Sequence, residues 1–119
     1  MASNELAKKV PLELMCLLLL EERDMYGYEM LQEFNSRSGG RISVNITTLY
    51  MALKRLNDRG FVSIHYSNVR ETRERTRLYY HLEPPSIPYK AKLLSEYQNM
   101  VLGVEEFLKH SAKGGESNG

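Results

Sequence analysis

Between Asn45 and Leu82 the hydrophobic period changes once, from that of a helix to that of a strand pair, and few folds accommodate that switch. Asn45 is a good N-cap, because its side-chain oxygen accepts from an otherwise unpaired amide in the next turn. Ile46, Leu49, Leu53 and Leu56 follow at spacings of 3, 4 and 3, and Gly60 closes the helix. Its opposite face presents Thr47, Thr48, Tyr50, Met51, Lys54, Arg55 and Asp58. Alternation then takes over. Val62, Ile64 and Tyr66 point one way on a first strand, and Leu78, Tyr80 and Leu82 point one way on a second. Residues 68–76 between them are too polar and too many for a tight hairpin turn, and they carry Arg70, Arg73 and Arg75, with Arg77 just beyond.

Upstream, a helix is predicted from about Asn4 to Glu22. Leu6, Val10, Leu14, Leu17 and Leu18 form one apolar stripe, and Leu12, Met15 and Leu19 a second, with Pro11 a mild interruption. A helix apolar on two sides must be covered on both. A second helix opens at Tyr26-Gly27-Tyr28, buries Tyr26, Met30, Leu31 and Phe34, and ends before Gly39-Gly40. Arg41 to Val44 reads as a short extended piece. Downstream, Pro84-Pro85-Ser86-Ile87-Pro88 reads as a stiff connection, and a last helix runs from about Tyr89 to His110. Along it Leu93, Tyr97, Met100, Val104 and Phe107 follow the 4-3-4-3 spacing of a helix-pairing seam, widened by Leu94, Val101 and Leu108. So much apolar surface on one helix of a 119-residue chain asks for a second copy.

The order helix, helix, short strand, helix, strand, basic loop, strand is that of a winged helix-turn-helix. The fold class is therefore mainly α with a small β-hairpin wing. Residues 1–83 form the DNA-binding domain, 84–110 the linker and dimerisation helix, and 111–119, rich in Gly, Ser and Lys, a disordered tail. The overall charge of +1 hides its distribution. Residues 37–77 hold nine Lys or Arg against three acids, whereas residues 1–36 hold three against seven. A basic middle between acidic ends is the footprint of a polyanion-binding face.

The partner this implies is double-stranded DNA. The third helix presents Thr47, Thr48, Tyr50, Met51, Lys54 and Arg55 to the major groove, while Arg70, Arg73, Arg75 and Arg77 of the wing reach phosphates or the minor groove. A winged-helix module that docks a protein through the same helix is the rival, and the polar character of that face argues against it. No enzyme motif is present: no Gly-rich phosphate loop, no nucleophile elbow, no paired carboxylates. The single Cys16 lies in an apolar run and reads as a buried, inert thiol in a reducing cytoplasm. His65 and His81 share the outer face of the hairpin but have no evident third ligand, so neither metal nor cofactor is expected. The apolar run ending at Leu20 is far short of the ~20 residues of a membrane span, and no secretory signal is expected.

The stretches Leu12 to Leu20, Tyr26 to Met30, Thr48 to Leu56 and Arg77 to Leu82 together resemble the PadR-like transcription regulators, whose pattern runs roughly YGYE, TLYxxLxRLxxxGL and RxYYxLT. With a single helix at the C-terminal end, the chain is similar to the smaller subfamily. That resemblance implies a homodimer, packed through the last helix against the partner and its N-terminal helix. It also implies repression at an inverted-repeat operator, relieved by an effector. Met51 stands where many members have proline, the wing lacks glycine, and Glu83-Pro84-Pro85-Ser86 replaces the usual entry into the last helix. Tyr97 stands where some members carry a tryptophan that stacks on flat ligands. The expected effector is a planar apolar small molecule held by Tyr97 and Met100, with Met15 and Cys16 lining the wall.

Overall fold

The computed structural model describes residues 2–67 and 77–111. Seven elements follow in order: α1 (Ala2–Glu22), β1 (Met25–Tyr26), α2 (Gly27–Arg37), α3 (Ile46–Asp58), β2 (Val62–Ser67), β3 (Arg77–Leu82) and α4 (Ser86–Lys109). They form a winged helix-turn-helix with one long C-terminal helix.

The core forms where α1 meets the concave side of the rest. Leu12, Leu14, Cys16, Leu17, Leu19 and Leu20 of α1 bury against Met30 and Phe34 of α2, Leu49, Leu53 and Leu56 of α3, and Leu93 of α4. From Leu12 onward both apolar stripes predicted for α1 are covered, apart from the exposed Leu18 and the half-buried Met15. The helix continues through Pro11. The far ends of α1 and α2 are tied by Arg37, which donates to both oxygens of Glu22 at 2.8 Å and to Glu33 at 2.7 Å.

The three-stranded sheet has the order β1-β3-β2, antiparallel throughout. Val62 and Tyr80 face the core, with Ile64 and Leu82 half-buried beside them. The same face runs out into solvent at the opposed pair Tyr66 and Leu78, so the hairpin projects beyond the domain.

Two expectations need correction. The short strand lies before α2, not between α2 and α3. Met25 and Tyr26 pair with Tyr80 and Tyr79, whereas residues 41–45 alternate half-buried and exposed but meet no neighbouring strand. The proline segment is not a helix-free connection either. α4 begins at Ser86 and contains Pro88. Pro88 is the third helical residue, where the missing N–H costs nothing because the first amides of a helix lack an internal acceptor. Ser86, fully buried, fixes the start by donating from both its amide and its hydroxyl to the Glu83 carbonyl, at 2.9 and 2.6 Å.

Candidate nucleic-acid interface

α3 is set by its caps. Asn45 Oδ1 accepts from the amides of Thr47 at 2.7 Å and Thr48 at 3.4 Å, the cap expected from its sequence position. At the other end Gly60 has φ +80°, which lets the Phe61 amide return to the Leu56 carbonyl at 2.9 Å. Between the caps Leu49, Ala52, Leu53 and Leu56 are buried. Thr47, Thr48, Tyr50, Met51 and Lys54 are therefore exposed on one continuous face.

The expected site residues are placed unequally. Lys54 Nζ lies 2.9 Å from Asp58 Oδ2, an exposed pair of the kind worth about 0.3–0.5 kcal/mol, so a phosphate can recruit the lysine at little cost. Tyr50 lies against the backbone of α2: a methyl on Gly27 would stand 2.8 Å from its ring and 2.9 Å from its hydroxyl. This contact is the local reason for glycine in Tyr26-Gly27-Tyr28. Partial burial raises the Tyr50 pKa, so the hydroxyl keeps its proton and can donate. Arg55 turns inward instead, its Nε donating to Glu13 Oε2 of α1 at 3.0 Å. Arg77 lies with its guanidinium 4.5 Å from the centre of the Tyr26 ring, a cation–π contact at the base of the wing. Arg70, Arg73 and Arg75 lie outside the described residues.

The seam on α4 divides at its middle. Leu93 is buried, and Leu94, Tyr97 and Val101 are half-buried. Beyond them Met100, Val104, Phe107 and Leu108 are exposed, as is Leu102. Of the residues expected around an effector, Met15 is half-buried and borders a cavity of about 480 Å3 with Pro11, Leu12, Ile42, Val44 and Thr48. Cys16 is fully buried, and desolvation by the core, with Glu13 adding to it, pushes its thiol far above the usual range. It faces the core and lines no open wall.

Sequence reasoning missed the polar network behind α3. Glu13, with a side chain 8% exposed, pairs with Arg55 and also accepts from the Tyr89 hydroxyl at 2.6 Å. Tyr89 stacks on Phe61 at 4.3 Å, and the Arg59 guanidinium covers both rings. The available signal was a lone carboxylate inside the run Leu12 to Leu20, which must find partners to be buried. On the outer face of the hairpin His65 and His81 do meet, rings 5.4 Å apart, and His81 Nδ1 bonds Asp24 Oδ1 at 2.7 Å. Among the described residues no group of three or more His, Cys, Asp or Glu is arranged to hold a metal, and no helix is long and apolar enough to cross a membrane.

The model of the transcriptional regulator PadR-like family matches residues 16–84, from the core of α1 through the wing. The chain belongs to this family. A transcriptional regulator from Clostridium thermocellum is 27% identical with TM-score 0.72, covering 80% of this chain and 90% of that one. A PadR family transcription regulator from Clostridium difficile is 25% identical with TM-score 0.67, covering 82% and 97%. Bacillus subtilis PadR, whose structure is a complex with operator DNA, shares the fold at 23% identity and TM-score 0.62, over 70% of this chain and 46% of that one. PadR-like proteins are transcription regulators, not enzymes, and the chain has that family's winged fold.

Proposed function

We propose that this PadR-like chain is a cytoplasmic, homodimeric repressor that binds an inverted-repeat operator and is released by a planar apolar effector. One observation carries the reading: a doubly capped α3 with an uninterrupted exposed face of Thr47, Thr48, Tyr50, Met51 and Lys54. Such a face suits the major groove, where the hydroxyls donate to phosphates and Met51 offers apolar contact to a thymine methyl. The operator complex of Bacillus subtilis PadR, a protein with the same fold, supports this assignment.

Arg77 and the loop residues Arg70, Arg73 and Arg75 supply backbone contacts from the wing. Arg55 serves from behind, holding α3 to Glu13. The apolar residues Leu93, Leu94, Tyr97, Met100, Val101, Val104, Phe107 and Leu108 form the dimer seam, and Tyr97 with Met100 and Met15 frames the effector slot.

The test selects a duplex of about 30 base pairs from a random pool, enough for two half-sites one helical turn apart. Binding is then measured against salt. Arg73→Ala is expected to weaken all sequences about equally and to reduce the salt slope by roughly 1. Thr48→Ala with Met51→Ala is expected to narrow the gap between selected and random duplex. Failure to enrich any duplex would overturn the reading.

A further inference from the structure

Two residues of the basic middle, Arg55 and Arg59, stand one helical turn apart and are both drawn into a single side-chain circuit. Arg55 Nε donates to Glu13 Oε2 at 3.0 Å, Glu13 Oε1 accepts from the Tyr89 hydroxyl at 2.6 Å, and that hydroxyl accepts from Arg59 at 3.4 Å. The circuit leaves α3 at Arg55, crosses α1 and the first turns of α4, and returns to the C-cap of α3. Glu13 sits at its centre, and its side chain is only 8% exposed.

We propose that Glu13 is a positioning residue that makes the DNA-binding pose of α3 depend on how α4 is docked. The inference rests on the reading of α3 as the DNA-binding helix. Both carboxylate oxygens are engaged, one by each neighbouring helix, so neither helix can shift without leaving an acceptor unpaired in the core. Tyr89 has little freedom of its own, because its ring is stacked on Phe61 at an interplanar angle of 11° and is covered by the Arg59 guanidinium at 4.8 Å. A change in the dimer seam that displaces the first turns of α4 therefore moves the Tyr89 hydroxyl. Glu13 must follow it or lose it, and Arg55, with α3 attached, follows Glu13. Bonds in such a chain polarise one another, which makes them act together more than singly.

The test uses the full-length protein, the selected duplex and three variants: Tyr89→Phe, Glu13→Gln and the two combined. Tyr89→Phe removes one hydroxyl and keeps the ring stack. Each single change is expected to weaken binding roughly five- to tenfold. The double variant should bind no worse than the weaker single one, since both break the same circuit. The salt slope should stay at its wild-type value, because no phosphate contact is removed. Hydrogen exchange of the α3 amides should quicken in Tyr89→Phe. Wild-type affinity in Tyr89→Phe, or losses that add, would overturn the coupling. If the wild type binds no duplex, the DNA-binding reading fails by itself, and exchange alone decides: unchanged α3 protection in Tyr89→Phe overturns the coupling. Should Glu13→Gln fold poorly, Arg55→Lys, which keeps the charge but loses the Nε donor, replaces it in the cycle.

Discussion

A missing side chain at Gly27 shapes the outer face of α3 from behind. The residue is buried at the first position of α2, and its φ is not in the left-handed region, so nothing in the backbone forbids alanine. Only the Tyr50 ring does, from 2.8 Å. Because the clash is with the far end of a side chain, Gly27→Ala is expected to swing Tyr50 outward rather than unfold the domain. The expected outcome is a thermal midpoint within a few degrees of wild type together with weaker binding of the selected duplex. A variant that folds normally and binds the selected duplex with wild-type affinity would remove Tyr50 from the interface. Asn45 and Gly60 act at the same scale: one side-chain oxygen and one positive φ decide where α3 starts and stops, and hence which of its residues face outward.

Among the elements, β1 is the smallest and the least legible. Two residues carry no period, and Met25 and Tyr26 become a strand only because Tyr80 and Tyr79 arrive beside them from more than fifty residues away. α3 was legible for the opposite reason: its stripe, its N-cap and its closing glycine are all local. The same contrast separates the readable part of the site from the rest. Thr47 to Lys54 follow from helical spacing, whereas the inward turn of Arg55 depends on a carboxylate 42 residues earlier.

What holds β1 to the sheet also includes a titratable tie. The hydrogen bond to Asp24, just before β1, holds the pKa of His81 on β3 above the usual histidine range. Lys54, Arg41 and the acids of α1 are not part of this contact; the groups beside His81 are Asp24, Glu83 and the ring of His65. A histidine whose folded pKa is raised contributes stability that is fully present below its unfolded pKa and is lost as pH rises through the folded one. Asp24→Asn is therefore expected to lower the thermal midpoint at about pH 5.5 and to leave it nearly unchanged at about pH 8.5. A gap of equal size at both values would show that the tie works without the proton. Both side chains are close to half exposed, so the effect is small.

For the whole molecule the radius of gyration is 17.5 Å, against about 13.5 Å for a compact chain of this length. The excess reflects long helices at the edges of a small core, and α4 is the one whose exposed end is apolar. Met100, Val104, Phe107 and Leu108 share one side of the helix within nine residues, with Phe107 72% exposed, while Leu102 lies on the opposite side. Isolated exposed apolar residues need no explanation, but a contiguous group on one helix marks a surface that is covered in use. The second copy proposed above fits a seam that continues without a break from Leu93, buried in its own domain, to Phe107, which touches nothing of that domain's core. Phe107→Asp introduces a charge at the most exposed residue of that surface while leaving the core of the monomer intact. A buried aromatic anchor is worth about 2 kcal/mol or more, and a two-fold interface contains it twice, so dissociation should strengthen roughly a thousandfold. Sedimentation is expected to give a dimer for the wild type at micromolar concentration and a folded monomer for Phe107→Asp. Because one monomer reaches one half-site, affinity for the selected duplex should fall with it while non-specific binding changes little. A wild type that sediments as a monomer, or a Phe107→Asp variant that stays dimeric, would place the partner of this helix elsewhere.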